Sequence, residues 1–232
     1  MTTNALIAPS TQMPAHLAAL GAIGNENIGS GELATPRLYL LQALSEQVIK
    51  GSASYVKGAT AGNYINSLTN QLFEELFVAN LFMTRVFNVN KKRIFGQDDW
   101  RGTHNSPEEA MARLDADGVN PADYDIADTH VHTLAVIDAV NGTIETPIQL
   151  SMKATGLKES RAWNSNIITI GGNVPRFASV WKLGARLNTN NKGSWYVPQV
   201  AFAGWASKEL LDGLNTLYQN LRGTAAPMTD AE

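Results

Sequence analysis

This sequence predicts a mainly β fold, a five-stranded β-barrel-like core with flanking α-helices, and three stretches carry the prediction. The run LFVANLFMTRVFNVNKKRIFG (residues 76–96) is rich in β-branched and aromatic residues and lacks helical spacing. THVHTLAVIDAVNGTIETPIQLSMKAT (129–155) reads as two strands joined by an Asn141-Gly142 turn. RFASVWKLGARLNTNNKGSWYVPQVAF (176–202) reads as two more strands on either side of a polar loop, Asn188 to Gly193.

The remaining elements follow in order. Residues 1–35, rich in Ala, Gly, Thr and Asn with no sustained period, read as a flexible N-terminal arm. TPRLYLLQALSEQVIKG (35–51) has Thr35 placed as an N-cap, Pro36 in the first turn, apolar Leu38, Leu41, Leu44 and Val48, and Gly51 as a stop; it reads as a helix. SPEEAMARLDADG (106–118) reads as a short acidic helix, with Ser106 as cap, Pro107 at the first position and acids in the first turn. It lies inside an acidic insertion, residues 96–128, between the first two strands. GLKESRAWNSNIITIGG (156–172) reads as a helix ended by paired glycines, and residues 206–222 as a C-terminal amphipathic helix followed by a short tail, 223–232. Strand, insertion, strand, strand, helix, strand, strand is the order of an OB-fold, so residues 36–205 are expected to form one OB-fold-like nucleic-acid-binding domain.

Composition narrows the class. At 232 residues, 44% hydrophobic and 17% charged, the chain has the means to bury a core. With no cysteine, disulfides and thiolate metal sites are excluded, which fits a reducing compartment. The uncharged stretch 1–25 lacks a basic start and is broken by Pro9, Pro14, Gly21 and Gly24, so neither a secretion signal nor a membrane span is expected. The expectation is a cytoplasmic protein with no membrane contact. Its net charge of −3 conceals a segregation. Residues 97–146 hold eleven acidic residues against Arg101 and Arg113, whereas residues 151–195 hold seven basic residues against Glu159 alone.

The basic half interleaves cations with rings, the pattern that suits a single strand of nucleic acid, where cations track phosphates and bases stack on aromatic faces. Strand alternation puts Arg85, Phe87, Lys91, Arg93 and Phe95 on one side of the first strand. Lys153 falls opposite the core face of the third strand, and Lys182 and Arg186 face out together from the fourth. Lys192, Trp195 and Tyr196 complete the hairpin's set. From the residues alone Trp181, with Phe177, Leu183 and Leu187, reads as core, since a strand aromatic is more often buried than a base platform. Other chemistry finds little footing. His130 and His132 share a strand face at metal-ligand spacing, but alternation alone generates that pattern. Asp98 and Asp99 read as solvated surface, and the glycines of IGGN (170–173) lack the spacing and lysine of a phosphate loop. No enzyme activity and no cofactor are expected.

TPRLYLLQALSEQV, PIQLSMKATGLKESRAWNSNI and RFASVWKLGARLNTNNKGSWYVPQVAFAG resemble segments of single-stranded DNA-binding proteins of tailed bacteriophages. The resemblance implies an OB-fold core that coats single-stranded DNA during phage replication or recombination, in the cytoplasm of the infected bacterial host. Phage replication or recombination proteins are then the expected partners, with self-association left open. Carried over, the binding positions are Lys153, Lys158, Arg161, Trp163, Arg176, Trp181, Lys182 and Trp195. Many such proteins end in a strongly acidic tail that recruits partners, whereas GTAAPMTDAE carries only Asp230 and Glu232, so recruitment through the tail is not expected. The alternative is a virion or assembly protein that uses the basic hairpin as a protein–protein contact.

Overall fold

The computed structural model describes residues 34–92, 99–139, 141–191 and 193–224. Arg93, Phe95, Asp98 and Lys192 lie outside the described residues, as do the expected arm up to residue 33 and the tail from residue 225. The described chain is mainly β, with strands β1 (Leu38–Leu40), β2 (Tyr64–Asn66), β3 (Leu72–Phe73), β4 (Leu76–Lys91), β5 (Trp100–His104), β6 (Tyr124–Asp138), β7 (Thr143–Ile144), β8 (Ile148–Lys153), β9 (Ser179–Asn190) and β10 (Gly193–Trp205). Helix α1 (Pro107–Ala116) follows β5, α2 (Gly156–Gly171) follows β8, and α3 (Lys208–Thr224) follows β10.

The ladders are antiparallel and form a small sheet, β1-β2-β3, and a large one, β10-β9-β4-β6-β7, with β5 added to β4 and β8 to β6. The five principal strands therefore stand in the order β8-β6-β4-β9-β10. Among the described residues no ladder joins β8 to β10, so the large sheet does not close on itself into a barrel.

Strand β4 organises both cores. It pairs with β6 from Phe77↔Ile137 to Lys91↔Tyr124 and with β9 from Leu76↔Leu183 to Ala79↔Val180. Alternation sends Leu76 and Val78, with Leu134, Val136, Trp181 and Leu183, into the main core. Their neighbours Phe77 and Ala79, with Ala135, Ile137 and Val180, meet Leu210, Leu214, Leu217 and Tyr218 of α3 in a second core. With both of its faces covered, this part of β4 reads as a continuous apolar run rather than an alternating one.

Helix α1 starts as its sequence dictates. Ser106 Oγ accepts from the Glu109 N–H at 3.1 Å, and the Glu109 carboxylate accepts from the Asn105 N–H. Its Ala110 and Leu114 pack on Val89 and Tyr124. The acidic stretch is thus stitched into the fold by β5 and α1, and the interval 96–128 takes in the opening of β6.

The helix expected over 35–51 is not formed. Leu38–Leu40 is strand β1, paired Leu38↔Asn66 to Leu40↔Tyr64, and hydrogen-bonded turns follow. The spacing of Leu38, Leu41 and Leu44 misled, because Leu44 is 87% exposed while Leu38 and Leu41 enter two different clusters. The working period is two: Arg37 and Tyr39 face solvent, and Leu38 is buried between them. Pairing with β2 and burial against β8 outweigh the local helix signal. Among the described residues no helix is long and apolar enough to cross a membrane.

Candidate nucleic-acid interface

Lys182 and Arg186 alternate on the face of β9 opposite Trp181 and Leu183, as expected. Each has a carboxylate partner from elsewhere in the chain. Lys182 Nζ lies 2.8 Å from Glu75 Oε1, and Arg186 Nη2 lies 2.9 Å from Glu159 Oε1 on α2. Arg186 also donates to Asn188 Oδ1. A hairpin with no acid in its own sequence is compensated through the fold.

Several expected contact residues are interior. Trp163 and Trp181 are each 1% exposed and pack edge-to-face, with ring centroids 6.2 Å apart. Phe87 is buried beneath Arg85, whose guanidinium lies 5.0 Å from the ring centroid. Bases have no access to these three rings, so as stacking platforms they are corrected to core. Arg176 is half-buried: its Nε donates to Asn80 Oδ1 at 2.9 Å and its Nη2 to Asn164 Oδ1, and burial pulls its pKa down to about 10. Its guanidinium thereby ties β4 to α2.

Arg176 begins a one-way chain of donors. Because Asn80 Oδ1 accepts from Arg176, the Asn80 amide donates to His132 Nδ1 at 2.9 Å. His132 then carries its proton on Nε2 and donates to Ser160 Oγ at 2.8 Å, and the same hydroxyl is hydrogen-bonded to His130 Nδ1 at 2.7 Å. His132 is fully buried, stacked on Trp163 with centroids 4.8 Å apart, and burial aided by Arg176 holds its pKa down to about 3. The His130/His132 pair thus converges on a serine of α2. Among the described residues, no group of three or more His, Asp or Glu is arranged to hold a metal.

The other cations divide into two groups. Arg85 makes a two-pronged pair with Asp128, at 2.9 and 3.0 Å, which holds that carboxyl below the usual carboxylate range; Arg161 stands 3.9 Å from the same carboxylate. Lys91 ends β4 beside Asp99 of the acidic stretch. Lys153 and Lys158 are exposed and, with Arg37 of the β1 segment, make no ion pair among the described residues. Sequence reasoning missed Arg37 and the exposed rings of Tyr39, Trp100, Phe202 and Trp205. The alternation Arg37-Leu38-Tyr39-Leu40 was the available signal, hidden by the helical reading of the same stretch.

Strand β1 lies where β8 and β10 fail to meet. Arg37 bridges to Gln149 of β8, whose N–H donates to Pro36 O at 2.9 Å. Past the other end of β1, the side chain of Gln42 bonds the backbone of Tyr196 in β10. A cleft of about 260 Å³ opens along this seam, lined by Arg37, Tyr39, Gln149, Lys153 and Tyr196 among others and, among the described residues, by no carboxylate.

The sequence model of a family described as Pam3 phage gp34-like protein matches residues 3–227. No curated protein and no solved structure matches the chain.

Proposed function

The chain belongs to the Pam3 phage gp34-like family, a family of phage proteins, and from that premise we propose that it binds single-stranded DNA without sequence preference during phage replication or recombination. The strand order β8-β6-β4-β9-β10, with α2 between β8 and β9, supports an OB-like core in which β1 occupies the seam that a closing ladder would fill. The observation that carries the reading is that Arg37 and Lys153 line one cleft where β1 and β8 adjoin, with Lys158 exposed in the first turn of α2, and that none of the three makes an ion pair among the described residues. The neighbouring acid, Glu159, is engaged by Arg186. A polyanion meets attraction there with no unpaired carboxylate lining the cleft among the described residues.

Titration with oligo-dT at several salt concentrations, followed by tryptophan fluorescence, tests the reading. Trp100 and Trp205 are exposed enough to report, whereas Trp163 and Trp181 are core. Saturable quenching that weakens steeply with salt, and is much poorer with duplex DNA, supports single-strand binding. No binding at low salt, by quenching or gel shift, overturns it and favours the assembly-protein reading.

A further inference from the structure

We propose that the cleft between β8 and β10 seats one unstacked base, with Arg37 and Lys153 holding the flanking phosphates. The inference rests on the single-strand reading and names its contact point. Two rings border the cleft, and they differ in kind. Tyr39 is about half exposed at its edge. Tyr196 is held in place: its backbone is paired with Gln42, and its ring lies over Gly62, where an added Cβ would come within 2.8 Å of the ring. A preordered ring loses little freedom when a base stacks on it.

The polar lining suits a base of any identity. The Gln149 side chain, half-buried in the cleft, makes no hydrogen bond to any described residue. A free amide presents a donor or an acceptor according to its rotation, so it satisfies the edge of a purine or a pyrimidine alike. Ser151 and Lys153 continue the same face of β8, giving hydroxyl and ammonium donors in line. An apolar floor, planar rings, one adaptable amide and two cations, with no carboxylate among the described lining residues, match a nucleotide within a chain; an acidic peptide would leave the rings unused.

Photo-cross-linking of the full chain to oligo-dT bearing 5-iododeoxyuridine, with peptide mapping, reads the contact directly. Cross-links at Tyr39 or Tyr196 are expected. Tyr39→Ala, at a half-exposed position of β1, should weaken binding roughly tenfold, with Tyr39→Phe close to the unaltered protein. Cross-links confined to Trp100, Trp205 or the tip of the β9–β10 hairpin, with Tyr39→Ala binding normally, overturn the cleft while leaving single-strand binding in place. Failure of the unaltered protein to bind the oligonucleotide overturns both.

Discussion

The side-chain amide of Gln42 pairs with the backbone of Tyr196 as a peptide group would: the Tyr196 N–H donates to Gln42 Oε1 at 2.8 Å and Gln42 Nε2 donates to Tyr196 O at 3.1 Å. These two bonds fasten the β1 segment to β10, while the Gln149 N–H and Pro36 carbonyl fasten it to β8. The ends of the large sheet are thus linked through a third element rather than to each other.

Gln42→Ala should loosen this seam. Both backbone groups of Tyr196 lose their partner, costing about 1–3 kcal/mol in stability. Denaturant unfolding measures the loss, and faster amide exchange at Tyr196 would locate it. Unchanged exchange there would mean that the seam does not depend on Gln42.

Gly62→Ala introduces strain twice. Gly62 has φ of 96°, a conformation that favours glycine, and the new Cβ would meet the Tyr196 ring. A destabilisation of about 1–3 kcal/mol is expected. If the cleft holds DNA, oligo-dT affinity falls with it, because the ring has been displaced. Thermal melts and titrations on the same sample separate the two effects.

Acid should destabilise the protein through His132. Its pKa is about 3 in the folded state against 6.5 ordinarily, so below pH 6.5 the unfolded chain binds a proton that the folded chain refuses. Stability present at neutral pH is lost progressively between 6.5 and 3, by about 1.4 kcal/mol per pH unit at most from this group. His132→Gln keeps an acceptor for Asn80 and a donor for Ser160 without the titration. Denaturant midpoints between pH 7 and 5 should slope less for the variant than for the unaltered protein.

Salt dependence should separate the free cations from the paired ones. Lys153→Ala is expected to reduce the slope of log affinity against log salt by about 0.7 for a single strand. Lys182 and Arg186 are already neutralised, so Glu159→Gln, which frees Arg186, should tighten binding and steepen the slope. Equal slopes for Lys153→Ala and the unaltered protein would place the phosphate path elsewhere.

Local pattern was legible in the sequence wherever an element is decided by its own residues. The long strand through Leu76–Lys91, the strands around Asn141-Gly142, the 179–205 hairpin and the capped start of α1 all follow from period, turn chemistry and caps. Alternation also placed Lys182 and Arg186 on one face. It could not say what stands opposite that face, because Glu75 and Glu159 arrive from 107 and 27 residues away. Nor could it tell a base platform from a core ring, since Trp163 and Trp181 are buried by each other and by His132.

The sequence by itself determined the long strands β4, β6, β8, β9 and β10, the helices after β5, β8 and β10, and the segregation of charge along the chain, because each depends on residues near one another. Tertiary structure alone decided that residues 38–40 are a strand at the seam of the large sheet, which cations keep a carboxylate, and which rings remain open. Those outcomes depend on pairings and burial between distant segments, and no spacing within one segment encodes them.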